Sequence, residues 1–291
     1  MQKYDVVIIG GGPAGLTAAL YLSRASINVM TIIKDFGGKM SMSPLIENYP
    51  GFKSGPGSAL AIEMLDQIYG KYDSFDYVID EAVKVDYVDE LYIVTTADGD
   101  QYMSKYLIAA TGSVPNELPI ENNSNVKIHY CPTCDGRLYE NQEVAVIGDA
   151  NSALQYSLEL IKYCSKVHLC AIGDKLYGEK VLIDRVKEDK DIIIHYNFDT
   201  DCFRDNTIFS SNGESINVAA AFIAIGNKLQ SDIFKPLGVV NNEGYIEANP
   251  YSCYVKNNFY AVGDIRQKLF YQITTAVSDG TSAALDIIRK N

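Results

Sequence analysis

The sequence predicts an α/β protein of two nucleotide-binding-type domains, the second inserted into the first. Three observations predict it. A strand–glycine–helix pattern opens the chain in YDVVIIGGGPAG (4–15), and the pattern returns in EVAVIGDANSA (143–153). A third apolar run closing on glycine, NNFYAVGDI (257–265), supplies a late strand that the first domain needs for completion. Recurrence of the pattern at that distance fits two three-layer, Rossmann-like units and not one.

In the first run, Gly10-Gly11-Gly12-Pro13-Ala14-Gly15 matches GxGxxG directly after a strand. Gly10 permits the tight turn, Gly12 lets the backbone approach a pyrophosphate, and Gly15 lets helix and strand pack closely. Asp35 falls about 20 residues past Gly15, where an acid for a ribose hydroxyl is expected. A purely structural glycine turn is the competing reading. VKVDYVDELYIVTTADGD (83–100) alternates apolar and polar residues around a turn and predicts an antiparallel hairpin. After the second glycine run, Leu154, Leu158 and Ile161 recur at helical spacing. INVAAAFIAIGNK (216–228) predicts one more strand closing on glycine. Linkers at TGSVPNELP (111–119) and PLGVVNNEG (236–244) set the domains at 1–115 with 243–291, and 116–242.

At 291 residues the chain is long enough for two domains and a well-buried core. Its net charge of −12 argues against nucleic acid as the main partner, because phosphate binding needs a basic surface. No apolar run approaches the length that spans a bilayer. The N-terminus enters a strand at once and leaves no room for a signal peptide, so a cytoplasmic location is expected.

Of six cysteines, only Cys131 and Cys134 share a motif spacing, in CPTCDG (131–136). Redox work needs two sulfurs close enough to bond, one exposed and one shielded, and a helix start would favour the thiolate. Half a zinc site is the alternative; a structural zinc site needs four ligands, and there is no second CxxC. Cys164, Cys170, Cys202 and Cys253 read as small buried hydrophobes. His129, just upstream, reads as a structural residue, the ordinary fate of a lone histidine.

The chain adds GGKM (37–40), ENYPGF (47–52), ATGSVP (110–115), FYAVGD (259–264) and YQITTAVSDG (271–280). With the glycine turn and CPTCDG, these resemble the low-molecular-weight, bacterial-type thioredoxin reductases, in order and over essentially the whole chain. The resemblance implies FAD at Gly10, Gly12, Pro13, Ala14, Gly15, Asp35, Gly38 and Lys39. Asn48, Val83, Thr111 and Gly112 would line the cofactor further. Gly263 and Asp264 would meet the ribitol, and Gln272 and Ile273 the pyrimidine end. It also implies that Cys134 takes electrons from the flavin, that Cys131 attacks the disulfide of thioredoxin, and that Asp135 serves as acid or base. Pro132 stands where the family motif has Ala. A homodimer is implied as well, and no metal.

The departures bear on the electron donor. Family members that use NADPH bind it with a GxGxxA turn and a downstream His-Arg-Arg. Here the turn is Gly148-Asp149-Ala150-Asn151-Ser152-Ala153. The Ala150 methyl would crowd a pyrophosphate, and two like charges ~4 Å apart near a surface repel by roughly 1–4 kcal/mol, which counts against Asp149. Ala171, Ile172 and Gly173 stand where His-Arg-Arg is expected, and Tyr177 replaces a further Arg, so no basic fork remains for a 2′-phosphate. Asp174 is placed to bind the ribose of NAD. Tyr271 stands where the family has Arg, as a remodelled approach to the flavin or as a neutral packing change. This pattern resembles the ferredoxin-dependent flavin thioredoxin reductases, which implies reduced ferredoxin as donor. An acidic ferredoxin would need a basic patch, for which Lys34, Lys39 and Lys53, or Arg266 and Lys268, are candidates. An NAD(P)H-driven disulfide reductase and a flavin redox sensor without turnover are the alternatives.

Overall fold

YDVVII lies in the strand Gln2–Ile9, whose last four side chains are buried. β-branched residues suit a pleated surface covered on both sides. The computed structural model describes residues 1–43, 45–120 and 122–291. It divides into two units, Met1–Val114 with Leu229–Asn291, and Pro115–Lys228.

In the first unit, parallel strands run in the order Phe259–Ala261, Gln101–Ala109, Gln2–Ile9, Val29–Ile33, Phe75–Ile79. Helices Pro13–Arg24 and Ile273–Lys290 cover one face, meeting through Ala14, Ala18, Ala276, Ala283 and Ala284. Small side chains let these helices come close: a Cβ at Gly280 would stand 2.2 Å from the Ala14 carbonyl oxygen. The opposite face carries the antiparallel hairpin Ala82–Val88 and Leu91–Thr96, through Val85, Tyr92 and Val94.

The return to this unit comes at residue 229, well before the expected 243. Residues 229–242 are no linker. A 3-10 helix, Asp232–Leu237, buries Phe234 completely in the hairpin layer, where its ring meets Phe259 at 5.5 Å.

The second unit has five parallel strands in the order Ile192–His195, Lys166–Cys170, Glu143–Ile147, Ala220–Ile223, Lys127–His129. Helix Asn151–Leu160 covers one face through Leu154 and Leu160. A four-stranded sheet covers the other with Phe203, Ile208 and Ile216. The expected single strand over 216–228 is in fact shared between the two sheets. Ser215–Asn217 pairs in the four-stranded sheet, and the backbone then changes partner, with Ala219 N–H donating to Glu143 O, before Ala220–Ile223 joins the parallel one. Among the described residues no helix is long and apolar enough to cross a membrane.

Candidate active site

The first glycine turn follows strand Gln2–Ile9 and opens helix Pro13–Arg24, with Pro13 at its first position and Ala14 and Gly15 in its first turn. Gly10 has φ +123°, a left-handed conformation that glycine adopts without strain, and a Cβ there would stand 2.3 Å from the Ala110 carbonyl oxygen. A Cβ on Gly12 would project into open space, with nothing nearer than Gly37 O at 3.9 Å. The helix start has no side-chain cap, so its first N–H groups are available to a ligand. A cradle bounded by backbone, open at the one position where a side chain would intrude, fits a dinucleotide pyrophosphate.

Around this turn the structure gathers most of the residues expected at the flavin. Asp35 follows strand Val29–Ile33 and its carbonyl accepts from Gly38 N–H at 3.0 Å. Gly38 and Lys39 begin the 3-10 turn Gly38–Met42, and a Cβ on Gly38 would lie 3.7 Å from Gly12 Cα. Lys39 Nζ approaches Asp264 Oδ2 at 4.0 Å. Gly263 meets Ala14, and Thr111 Oγ1 donates to Gln230 O at 2.6 Å while Gly112 O accepts from Gln230 N–H at 3.1 Å. Asn48 Nδ2 donates to Gln272 Oε1 at 3.5 Å. Gln272 caps the last helix, and Ile273 is its first residue. Its side chain accepts from the Thr275 backbone and its N–H goes to Thr275 Oγ1, so these donors are engaged within the cap. Val83 lies on the hairpin, exposed at a break in its register.

A buried network missing from the sequence reading supports Asp264. Asp279, in the last helix, accepts from Gly263 N–H at 3.1 Å, Arg266 Nη1 at 2.9 Å and Lys268 Nζ at 3.0 Å. Arg266 and Lys268 therefore form no surface patch: Arg266 is 6% exposed. Lys34 is held by Glu81 at 2.8 Å. Of the expected docking cations, these are already paired with carboxylates.

Cys131 and Cys134 form a disulfide, with Cα atoms 5.3 Å apart. Both residues are half-buried, so the expected split into one exposed and one shielded cysteine is not seen at the residue level. The helix they open, Pro132–Asp135, is a single turn and passes into a 3-10 turn, Gly136–Tyr139. So short a helix sums few peptide dipoles, which weakens the expected dipole effect on the thiolate. Asp135 is 4% exposed, with Oδ2 at 3.1 Å from His129 Nδ1. His129 Nε2 lies 2.6 Å from the Tyr139 hydroxyl. His129 is thus the buried structural histidine expected, and its two partners, which nothing in the spacing of 129, 135 and 139 reveals, come from the fold.

The second glycine turn repeats the first in outline. Gly148 has φ +145°, and helix Asn151–Leu160 starts three residues on. The segment from Tyr177 to Glu179 lies against it. Tyr177 N–H donates to Asp149 O at 2.7 Å, Ala150 and Tyr177 form a β-bridge, and Glu179 N–H donates to Asn151 Oδ1 at 2.7 Å. A Cβ on Gly178 would stand 2.4 Å from Leu154 Cδ1.

Comparison with known proteins places these features. Residues 4–280 match the family model for pyridine nucleotide-disulphide oxidoreductases. A 34.2 kDa protein in the rubredoxin operon of Clostridium pasteurianum is 34% identical, over 98% of this chain and 96% of its own length. Thioredoxin reductase of Bacillus subtilis (strain 168) is 32% identical, over 98% and 93%. The crystal structure of thioredoxin reductase from Streptococcus pyogenes MGAS5005 superposes with a TM-score of 0.91 at 28% identity, covering 99% of this chain and 97% of that one. These relatives are of the low-molecular-weight bacterial type, and FAD is the cofactor that the cradle around Gly12 fits. With a family model matching nearly its whole length and relatives above 30% identity across it, the chain belongs to the pyridine nucleotide-disulphide oxidoreductase family.

Proposed function

We propose that this flavoprotein disulfide reductase takes electrons from reduced ferredoxin and passes them, by way of FAD and the Cys131–Cys134 disulfide, to thioredoxin. Bound FAD supplies a centre that accepts electrons singly and delivers them as a pair. The observation that carries the choice of donor is the second glycine turn. Ala150 replaces the glycine that would approach a pyrophosphate, and the Tyr177–Glu179 segment already uses Asp149 O and Asn151 Oδ1. Ala171, Ile172 and Gly173 offer no cation to a 2′-phosphate. The relatives named thioredoxin reductase support thioredoxin as acceptor, and the family resemblance supports a homodimer.

The protein's own residues divide the work. Gly10 to Gly15 and the start of helix Pro13–Arg24 would hold the pyrophosphate of FAD, and Asp264 would hold its ribitol. The thiolate of Cys131 attacks a sulfur of the substrate disulfide and releases a substrate thiolate. Cys134 then resolves the mixed disulfide, and Asp135 moves the proton between Cys134 and the leaving sulfur.

A pyridine nucleotide as donor is the second reading, favoured by the turn conformation that Gly148 retains. Anaerobic absorbance decides between them. The oxidised protein is titrated separately with NADPH, NADH and reduced ferredoxin. Bleaching of the flavin by ferredoxin alone, reversed by oxidised thioredoxin, is the expected result. Rapid bleaching by either nicotinamide overturns the ferredoxin reading.

A further inference from the structure

Beside the CxxC pair, three side chains from successive elements form one hydrogen-bonded row. His129 ends strand Lys127–His129, Asp135 ends helix Pro132–Asp135, and Tyr139 ends the 3-10 turn Gly136–Tyr139. Asp135 Oδ2 lies 3.1 Å from His129 Nδ1, and His129 Nε2 lies 2.6 Å from the Tyr139 hydroxyl. The imidazole is 6% exposed and its face stacks on Phe222 of strand Ala220–Ile223, at 5.2 Å and 25°. A ring needed only to fill space would gain nothing from nitrogens, since each buried polar group without a partner costs about 1–3 kcal/mol. Here both nitrogens are matched.

The matching has a direction. A neutral imidazole has one donor and one acceptor nitrogen. Burial, and after it the Asp135 carboxylate, push the Tyr139 hydroxyl up to about 12, so it stays protonated and can donate to Nε2. That leaves the proton on Nδ1, aimed at Asp135 Oδ2. Of the described groups meeting the ring, Asp135 and Tyr139 are the titratable ones, and strand Ala220–Ile223 contributes the Phe222 ring. Cys134 lies in the same helix as Asp135, and Cys131 stands at its N-cap.

We infer that His129 is a positioning residue for the dithiol chemistry: its Nδ1–H, set by Tyr139, holds the Asp135 carboxylate by Oδ2 and so fixes its orientation beside the cysteine pair. This rests on the reading of Asp135 as acid and base. In the resolving step the Cys134 S–H gives its proton to Asp135 Oδ1. The Cys134 sulfur attacks Cys131, forming the Cys131–Cys134 bond and breaking the bond between Cys131 and the substrate. Over the two exchanges together the cysteine pair is oxidised by two electrons and the substrate disulfide reduced by two; the departing substrate sulfur keeps the bonding pair and then takes the proton from Oδ1. His129 holds Oδ2 throughout.

The test needs no flavin turnover. The whole protein is reduced with dithiothreitol, desalted anaerobically and mixed with excess oxidised bacterial thioredoxin, and the exchange rate is followed from about pH 5 to 9. His129→Phe keeps the stack on Phe222 but removes the donor. A carboxylate no longer held by Oδ2 presents its base in the productive orientation less often, so the exchange rate should fall on the order of tenfold across the profile. His129→Asn, whose amide nitrogen stands in for Nδ1, should recover most of the wild-type rate. A His129→Phe profile superposing on wild type, with Asp135→Asn slow at every pH, overturns the inference and leaves Asp135 in its role. Asp135→Asn exchanging at the wild-type rate removes the underlying reading instead. Should the Phe variant not fold, ¹⁵N-histidine spectra of the unaltered protein decide. A His129 ring signal that moves between the oxidised and dithiothreitol-reduced states supports the inference, and one that does not overturns it.

Discussion

The backbone N–H of Gly263 donates to Asp279 Oδ2 at 3.1 Å, and the same carboxylate binds Arg266 and Lys268. One buried acid thus ties the turn that presents Asp264 to the last helix and balances Arg266 and Lys268, of which Lys268 also lies 4.0 Å from Asp264 Oδ1. Asp279→Asn keeps the shape and removes the charge. Breaking a buried pair from one side costs about 3–5 kcal/mol, so a marked fall in melting temperature is expected, with a lower flavin-to-protein absorbance ratio after purification. An unchanged ratio and melting temperature would show that Arg266 and Lys268 find other partners.

The glycines of the first turn separate folding from cofactor binding. A Cβ on Gly15 would stand 2.0 Å from the Gly10 carbonyl oxygen, inside the protein's own backbone. One on Gly12 meets nothing within van der Waals contact except Gly37 O at 3.9 Å. Gly15→Ala should therefore destabilise the chain by at least the roughly 1–3 kcal/mol of core overpacking. Gly12→Ala should leave the apoprotein's unfolding midpoint in urea unchanged and weaken FAD binding at least tenfold, read by flavin fluorescence on reconstitution. Equal losses of apoprotein stability in both variants would refute the cradle.

That first turn was legible because its logic is local: strand, glycine spacing and helix start follow one another along the chain. Asp279 and the His129–Tyr139 contact were not, because their partners come from other elements and no spacing encodes them. The domain boundary failed for a related reason. PLGVVNNEG has the composition of a loop, yet Phe234 just before it is drawn into the hairpin layer by Phe259 and Ile246, so burial overrides local turn chemistry. The second glycine turn was legible as a departure from pattern, but the Tyr177–Glu179 segment against it was visible only in three dimensions.

Acid should weaken the second unit through its histidine pair. His168 Nδ1 lies 3.0 Å from His195 Nε2, and His195 Nδ1 lies 3.8 Å from Glu214. Burial first, then the His168 ring, hold His195 below the usual histidine range. The unfolded chain therefore takes its proton near pH 6.5 while the folded chain still refuses it. Stability from this group is whole above that pH and declines as pH falls through it. The melting temperature should drop between about pH 7.5 and 5.5, and His195→Gln should flatten that slope by about 2 °C. A slope identical in the variant would assign the loss to other groups.

Thiol labelling should separate working from structural cysteines. Burial pushes the Cys164 thiol up to about 11, burial followed by the Asp279 charge pushes Cys253 up to about 11, and burial drives Cys170 higher still. At pH 8 a thiol of that kind is about 0.1% thiolate, and the side chains are also out of reach of reagent. Cys202 is only half-buried. Iodoacetamide should therefore add at most one group to the native oxidised protein, at Cys202, and two more at Cys131 and Cys134 once dithiothreitol opens the disulfide. All six cysteines should react in guanidinium, and intact-mass spectrometry counts the additions. Cys253 carries the sharpest consequence, because Arg266 Nη1 donates to its sulfur at 3.0 Å inside the Asp279 network. Rapid native labelling there would mean that this network opens on the timescale of the reagent, and the rigid support argued for Asp264 would fail with it.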